Sequence, residues 1–543
     1  MKYLNKFSIL AGCLALSACS DIDDMLPESG AVTEDQVNES AEAIPSRVNA
    51  DLAGIYTFAG QYAAALGNTS YHCDFGVPSV AIAMDANAAD MVTTNNDFEW
   101  FTPAFDLSDR DPGYIVAATR YGTMFNQIKL CNDLIASVPA DTDVPALRYS
   151  LAQARAVRAF NYLNLAPYFQ FNYATSADKP CVPIVSESTP DPANNPRATV
   201  REVYEFIMAD LNYAVEALEG YERPSKANID QHVAYGLRAR ANLYMGNWAE
   251  AADDADKALE GYQPASREDV SGPYFYEMSE PNWMWGILIE KDKVGGVLSW
   301  PAHLCSFISK GYTAGQGCYK RINKLLYDKI PTTDVRKGWW VDENLESPNL
   351  EGCSWNGILG NDIPAYKEEK IKEPFEPYTN VKFGMKSGIG SNVYDNDWCL
   401  MRAEEMILIK AEGLAMSNQT GAAQQLLVSF IQTYRDPAYT CSLSGQALQN
   451  EIWKQRRIEL WGEGFAMADI MRLNKPIVRI HGNNKGNWPD AFAFNVEAGD
   501  PWLLLRFPTI ETNGNAAVSP IENVGGTLPV AGQNPNLRDG ATD

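Results

Sequence analysis

Residues 234–259 read AYGLRARANLYMGNWAEAADDADKAL, and no other part of the chain has so regular a helical pattern. Two helical runs, 234–245 and 248–259, flank the dipeptide Gly246-Asn247, which is typical of a tight turn. The many alanines allow two antiparallel helices to approach closely, and bulky aromatic side chains fill the seam between them. This stretch therefore predicts a helical hairpin.

The hairpin resembles one unit of the tetratricopeptide pattern, in which small and large residues occupy fixed positions. The matching residues are Ala241, Tyr244, Gly246, Trp248, Ala251, Ala258 and Leu259. Helical runs at 146–169 and 201–219 come before it and are compatible with further, degenerate units. Because each unit buries its apolar face against its neighbours, the sequence predicts a frame of stacked helical hairpins.

Helical periodicity marks other parts of the chain as well. Apolar residues recur at helical spacing over residues 47–57, 114–138, 400–416, 422–434 and 445–473. Thr199 and Glu202 form the pattern of a capping box before the helix at 201–219. The sequence therefore predicts a mainly α fold, with the helical frame over residues 46–264 and 400–473.

Residues 265–398 interrupt this frame. Glycine, proline, asparagine and aromatic residues replace the helical pattern there, and six of the 13 tryptophans lie between Ser271 and Trp355. Long loops supported by regular elements usually carry function. We predict a large, loop-rich binding excursion over 265–398 and an irregular C-terminal segment over 474–543.

The N-terminus carries an export signal. Lys2 and Lys6 precede an apolar run that fits a secretory signal and is too short to span a bilayer. The run ends in Leu-Ser-Ala-Cys at 16–19, the pattern of a bacterial lipoprotein signal. The predicted order is a signal peptide over 1–18, a lipid on Cys19, a tether over 19–45 and a domain over 46–543.

The composition excludes several classes of function. The formal net charge of −25 excludes nucleic acid as the natural partner, because a phosphate backbone requires a basic surface. Four histidines leave little room for a histidine-built metal site, and the common catalytic motifs are missing. We expect no cofactor, no metal and no enzymatic activity.

Eight cysteines follow Cys19 without any C-x-x-C pair, and their pairing stays open.

Two stretches resemble signatures of the SusD/RagB family, surface lipoproteins that serve nutrient import. They are RAEEMILIKAE at 402–412 and RRIELWGEG at 456–464, the latter followed by Asp469 and Arg472. Residues 152–162, the 245–251 turn and Asn-Pro-Asn at 534–536 are also similar to the family's pattern. The family usually has an arginine two residues after Gly464. This chain has Ala466 instead, so one framework ion pair of the family is not assured here.

The resemblance implies a SusD-like fold and a role in nutrient uptake. It implies a lipid-anchored protein on the outer face of the outer membrane that binds oligosaccharides. It also implies delivery of these ligands to a SusC-like, TonB-dependent transporter. Two alternatives stay open, namely a peptide-capturing RagB-like lipoprotein and a helical-repeat scaffold that binds only proteins. A glycosidase is a more distant alternative, because two carboxylates at a suitable separation are all it requires.

The second signature places charged residues at helical spacing. Arg456, Glu459 and Glu463 are three and four residues apart, which predicts one shared helical face. Two such carboxylates can serve as a general acid and base. The intervening apolar residues favour a core helix instead, with Arg456, Arg457 or Arg402 supplying the counter-charge. We therefore interpret these carboxylates as part of a framework of salt bridges.

Sugar rings stack on aromatic planes, and their hydroxyl groups pair with amides and other polar side chains. The excursion and the amide-rich segment at 90–101 supply such residues, and in the SusD/RagB family ligand contacts come from loops in these two parts of the chain. Because those loops vary, the individual residues are chosen on their chemistry. The predicted ligand-binding residues are Asn95, Asn96, Trp100, Tyr274, Trp283, Trp285, Trp300, Tyr312 and Trp339.

Overall fold

The computed structural model describes residues 45–306, 311–352, 354–355, 358–359, 375–388, 391–519 and 525–543. The predicted signal peptide, Cys19 and almost all of the tether lie outside the described residues, as do Cys353 and the side chain of Trp355. In the described part of the chain, no helix combines the length and the apolar character needed to cross a membrane.

The first half of the chain is a series of helices. They are α1 (Pro45–Phe58), α2 (Val77–Asn87), α3 (Thr102–Phe105), α4 (Ile115–Ala136), α5 (Pro145–Leu163), α6 (Ala166–Phe169), α7 (Tyr173–Ser176), α8 (Val200–Ala217), α9 (Gln231–Met245) and α10 (Trp248–Ala258). The long helices pack in series, α4 on α5, α5 on α8, α8 on α9 and α9 on α10. The fold is mainly α, as the sequence predicts.

The second half first leaves this series and then rejoins it. Its helices are α11 (Trp300–Leu304), α12 (Tyr312–Gln316), α13 (Lys324–Tyr327), α14 (Ala403–Met416), α15 (Thr420–Tyr434), α16 (Gly445–Glu459), α17 (Ala466–Arg472) and α18 (Thr509–Gly514). Helix α14 packs on α10, and both α15 and α16 pack on α14. Residues 265–398 are therefore an insertion between two neighbouring helices of one stack.

Short strands form antiparallel pairs. They are β1 (Met91–Val92) with β5 (Arg321–Ile322), β2 (Pro180–Pro183) with β3 (Arg197–Thr199), β4 (Trp283–Ile287) with β8 (Trp398–Arg402), β6 (Ser354–Trp355) with β7 (Ile358–Leu359), and β9 (Ile477–Val478) with β10 (Asn495–Val496). The β4–β8 pair brings together the beginning and the end of the insertion, with Trp283 opposite Arg402.

The hairpin of α9 and α10 forms for local reasons. Asp230 caps α9 by accepting a hydrogen bond from the Val233 amide at 2.9 Å, and Gly246 ends it with a φ of 80°. Helix α14 approaches α10 closely at Gly413, where an added Cβ would lie 2.5 Å from the Trp248 carbonyl oxygen. The alanine-rich surface of α10 permits this short distance. The predicted hairpin is confirmed.

Three predicted helices are interrupted in the structure. The run at 146–169 ends as α5 at Leu163, and residues 398–402 form strand β8 before α14 begins. The run at 445–473 breaks after Glu459, because Gly462 and Gly464 adopt left-handed φ values of 81° and 89°. Glu463 therefore follows α16 rather than sharing its face with Arg456, which corrects the prediction of one common helical face.

The carboxylates of the second signature are held by cations in a buried ionic lattice. Its members are Arg336, Lys382, Arg402, Arg435, Asp334, Glu404, Glu459 and Glu463. Glu459 is fully buried and accepts hydrogen bonds from Arg402 at 2.8 Å, from Arg435 at 2.8 Å and from Arg336 at 3.2 Å. Burial alone would raise the pKa of Glu459, but these arginines hold it well below its ordinary value.

The charges of these eight lattice members balance, with a carboxylate for every cation. Lys382 donates to Glu463 at 2.6 Å and to the backbone oxygen of Trp461 at 2.8 Å. Arg402 supplies counter-charge as the sequence predicts, whereas Arg456 pairs with Asp469 and Arg457 with Asp90, both outside the lattice. The framework interpretation of the signature carboxylates fits this geometry, because each one is already bound by a cation.

Asp85 is a buried carboxylate without a cation. It lies on α2 and accepts hydrogen bonds from the amides of Gly464 at 3.0 Å and Ala466 at 3.1 Å. Among the described residues no ion pair involves Asp85. Burial raises its pKa to about 7, and the charges of Asp90 and Glu463 add to this effect. At position 466, where the family usually has an arginine, this chain has an alanine. Its side chain offers no charge to Asp85, and only its backbone amide donates to this carboxylate.

Replacing Glu459 by Gln should lower the free energy of unfolding by about 3–5 kcal/mol, because three buried arginines lose part of their counter-charge. Urea denaturation at pH 7 measures the change. Glu250→Gln, an exposed position on α10, is the matched control and should cost less than about 0.5 kcal/mol. Equal stability of the two variants would contradict the structural role of the lattice.

Replacing Asp85 by Asn should change how stability depends on pH. Because the folded pKa of about 7 lies above the ordinary value of 3.8, the stability contributed by this carboxyl is complete below pH 3.8 and is lost as the pH rises through 7. The amide does not titrate, so the variant should gain about 2.5 kcal/mol relative to wild type between pH 5 and pH 8.

Denaturant unfolding at these two pH values provides the measurement, with Asp253→Asn as an exposed control. A difference between the Asp85 variant and wild type that does not change with pH would show that Asp85 is ionised in the folded protein throughout this range.

Candidate functional site

Three rings form an aromatic cluster at the surface, consisting of His72, Trp100 and Tyr312. The imidazole of His72 stacks on Trp100 with 5.2 Å between ring centroids and 22° between planes. Tyr312 stands edge-on to His72 at 5.5 Å, and its hydroxyl group is hydrogen-bonded to His72 Nδ1. All three side chains are half-buried, so they are fixed in position and still reach solvent.

Amides lie beside the aromatic cluster. Asn96 donates from Nδ2 to the Gln316 carbonyl at 2.7 Å and accepts at Oδ1 from the Phe98 amide at 2.8 Å. The neighbouring Asn95 is exposed. These contacts join the segment that carries Trp100 to Gln316, the last residue of α12. Tyr312 is the first residue of the same short helix. Four of the nine residues predicted to bind ligand, Asn95, Asn96, Trp100 and Tyr312, therefore lie close together in the structure.

A buried ion pair lies behind the cluster. Glu99 and Lys320 are 2.5 Å apart and both side chains are fully buried. Glu99 also accepts a hydrogen bond from Thr93 at 2.8 Å, and Lys320 donates to the Cys318 carbonyl at 3.1 Å. Since Glu99 precedes Trp100 directly, the pair holds the two ring-bearing segments together, and its carboxylate is not available as a solvent-facing acid.

His303 supports the cluster from below. Its ring is fully buried and stacks between Tyr312, at 4.6 Å, and Phe75, at 5.3 Å. Burial lowers the pKa of His303 well below its ordinary value, and the charge of Lys320 lowers it further. A neutral imidazole is therefore part of the stack that orients Tyr312.

Two family models match this chain. Residues 318–499 match the model of the SusD family, and residues 48–243 match a model described as starch-binding and associating with the outer membrane. The chain belongs to the SusD/RagB family. The match over 48–243 includes His72 and Trp100, whereas Tyr312 lies just before the match over 318–499.

Relatives in this family have low sequence identity. Two SusD-like proteins of Formosa agariphila, P2 and P38, are similar to this chain. P2 is 25% identical over 402 residues, which cover 67% of this chain and 72% of P2. P38 is 20% identical over 396 residues, which cover 67% of this chain and 73% of P38.

Solved structures share the fold. A SusD-like carbohydrate-binding protein from Bacteroides vulgatus superposes with a TM-score of 0.70 at 23% identity, covering 87% of this chain and 97% of that one. A SusD superfamily protein from Bacteroides thetaiotaomicron gives 0.67 at 21% identity, covering 87% and 98%. At this identity the likeness establishes the SusD fold alone.

Four of the tryptophans predicted to bind ligand are core residues. Their exposed fractions are 0% for Trp283, 2% for Trp285, 3% for Trp300 and 0% for Trp339. Three of these indoles donate to backbone carbonyls, Trp285 to Ala227, Trp300 to Asn396 and Trp339 to Val270. This placement corrects the expectation of an exposed platform, because these rings are packed in the core.

Tyr274 is also outside the aromatic cluster, because its contacts are with other residues. Its ring is half-buried and packs edge-on against Phe275 at 5.2 Å, and its backbone pairs with Phe383. The predicted set therefore divides into four residues at the cluster and five residues elsewhere.

His72 is a residue of the cluster that the sequence does not predict. It lies in a loop between α1 and α2 that has no regular pattern, although the adjacent rings Tyr71-His72, a few residues after Gly67-Asn68, are a usable signal. In the described part of the chain no group of histidine, cysteine and acidic residues is arranged to hold a metal ion. The chemistry that the site offers is stacking and hydrogen bonding.

Proposed function

We propose that this protein captures oligosaccharides at the aromatic cluster and passes them to a SusC-like, TonB-dependent transporter. The observation that carries the proposal is the stack of His72 on Trp100, held open to solvent beside the Asn95 and Asn96 amides. An apolar ring face next to amide groups matches the two sides of a sugar, its C–H face and its hydroxyl groups.

The geometry favours weak and reversible binding. One stacked ring contributes on the order of 1 kcal/mol beyond the burial of its area. Two rings with a few hydrogen bonds then give dissociation constants of about micromolar to millimolar. Such affinity suits a protein that must release its ligand to a transporter.

Binding rather than catalysis fits the carboxylate behind the cluster and the carboxylates of the family signature. Glu99 is buried against Lys320, and Glu459 and Glu463 are bound by cations of the lattice. A glycosidase needs two carboxyl groups facing the substrate. We therefore propose a non-enzymatic role, in agreement with the carbohydrate-binding description of the Bacteroides vulgatus relative.

We further propose that the mature protein is anchored to the outer face of the outer membrane through a lipid on Cys19. The Leu-Ser-Ala-Cys pattern at 16–19 and the acidic residues after it support this assignment. The family model described as associating with the outer membrane supports the location. The tether over 19–45 would then let the domain reach its transporter.

Binding should depend on the two outer rings of the cluster. Trp100→Ala and Tyr312→Ala should each weaken oligosaccharide binding at least tenfold, because each removes a stacking face. Calorimetry on the delipidated protein against a panel of oligosaccharides and peptides measures this. The matched controls are Trp248→Ala and Tyr114→Ala, half-buried and exposed rings outside the site that should leave affinity unchanged.

Three results would count against the proposal. Binding of peptides alone would favour peptide capture, and glycan binding whose stoichiometry and affinity are the same as wild type in both cluster variants would place the site elsewhere. Cleavage of any oligosaccharide in the panel would contradict a non-enzymatic role.

Replacing Cys19 by Ala should release the protein from the membrane, because the thiol that carries the lipid is lost. Cell fractionation in a strain without the transporter measures this. Ser20→Ala, one residue further on, is the control that should stay in the membrane fraction. A Cys19→Ala variant that still partitions with membranes would disprove the lipid anchor.

A further inference from the structure

A concave site apart from the aromatic cluster lies on the side of α1. We call it the α1 groove, formed by residues 53–67, residues 285–293 and the side chains below them. Its volume is about 740 Å³, within the range of about 300–1,000 Å³ that is usual for ligand pockets. Tyr62 and Leu288 form exposed walls, with exposed fractions of 37% and 50%.

The floor of the α1 groove is rigid. The Tyr56 hydroxyl donates to Gln153 at 2.8 Å and accepts from the Ile229 amide at 3.0 Å. The Trp285 indole donates to Ala227 at 3.1 Å and stands edge-on to Phe160 at 5.0 Å. Because these groups are held by the frame, the aromatic part of the floor is already formed before a ligand enters.

One polar atom in this floor has no partner. Gln127 of α4 donates from Nε2 to the Ile55 carbonyl at 2.8 Å, while its Oε1 accepts no hydrogen bond in the described structure. The residue is 2% exposed, so bulk water does not compensate for the missing donor. The floor therefore lacks a hydrogen-bond donor, which a hydroxyl-bearing ligand would supply after a small movement of the amide.

We propose that the α1 groove is a second carbohydrate site, separate from the aromatic cluster, and that it binds a neutral oligosaccharide. Aromatic and aliphatic walls receive the C–H faces of the sugar rings, and amide and hydroxyl groups line the same groove. The polar lining includes Gln61, Asn228 and Thr57. This composition is that of a sugar site rather than of a purely apolar pocket.

Other ligand classes fit the lining less well. An acyl chain has no donor for Gln127 Oε1. An anionic ligand needs a cation, and Lys293 is the only basic side chain that lines the groove in the described residues, where it is already paired with Glu290. This pairing, with Asp292 in the same lining, argues against an anionic ligand.

One loop separates the two sites. Residues 59–76 carry Tyr62 on the groove side and His72 in the aromatic cluster. The loop is closed by a hydrogen bond from the Ala63 amide to the Asp74 carbonyl at 2.8 Å and by Asp74 accepting from Leu66 at 3.0 Å. A long glycan that engages both sites would bind more tightly than either site alone allows.

The test uses the full domain with calorimetry against maltoheptaose, cellohexaose and mannohexaose, with hexagalacturonate as the anionic comparison. Trp100→Ala removes the aromatic cluster and should leave one binding event. Adding Thr57→Trp, which fills the groove from its exposed rim, should weaken the remaining event at least tenfold. Thr433→Trp, also an exposed threonine near the end of a helix, is the matched control.

Gln127→Met provides a second probe, because it keeps the length of the side chain and removes its acceptor. In the Trp100→Ala background it should weaken the binding event that remains. If Gln127→Met fails to fold, the Thr57→Trp variant decides the question. Residual binding that Thr57→Trp leaves intact, or residual preference for hexagalacturonate, would overturn the second site.

The outcomes separate this inference from the proposed function. Complete loss of binding in Trp100→Ala alone would overturn the second site and leave the proposed function standing. Binding that is lost in Thr57→Trp but kept in Trp100→Ala would support the groove and overturn the cluster. Absence of binding of every glycan to the wild type would overturn both.

Discussion

Glu459 draws three arginines from three separate parts of the chain to a single buried carboxylate. Arg402 comes from β8, Arg336 from the insertion, and Arg435 from the residue after α15. A buried charge is tolerated only when it is paired and hydrogen-bonded, so none of these segments can move without leaving an unpaired ion. These buried ion pairs fix the position of the insertion relative to the helical stack. An apolar contact alone is not directional and would fix that position less strictly.

The aromatic cluster repeats the same principle on a smaller scale. Glu99 and Lys320 join the segment before α3 to the segment after α12, and the rings project outward from that joint. Both segments are loops, which lack a hydrogen-bonding pattern of their own to fix their relative position. An ion pair behind a stacking surface gives a loop-built site the rigidity that a helix or strand would otherwise supply.

Helices with local signals, such as the α9–α10 hairpin and the helix after the Thr199 capping box, are predictable from the sequence. Helix α2 is not, because burial on nearly every side removes the polar face on which periodicity depends. The site is predictable only in part, because Trp100 and Trp300 are chemically alike and only packing distinguishes a half-buried ring from a core ring. Most tryptophans of the insertion form the core that lets so long a segment fold. His72 joins the cluster from a loop far away in sequence, a contact that no local pattern encodes.

The position of the insertion within the stack has a consequence for how the chain reaches its native state. The face of α10 that meets α14 stays uncovered until the whole insertion and α14 have been synthesised. Helices α4 to α10 can assemble early through contacts close in sequence, whereas the α10–α14 contact closes a very long loop and forms late. An alanine-rich apolar surface is thus exposed on the partly folded chain, where it can aggregate or be bound by chaperones.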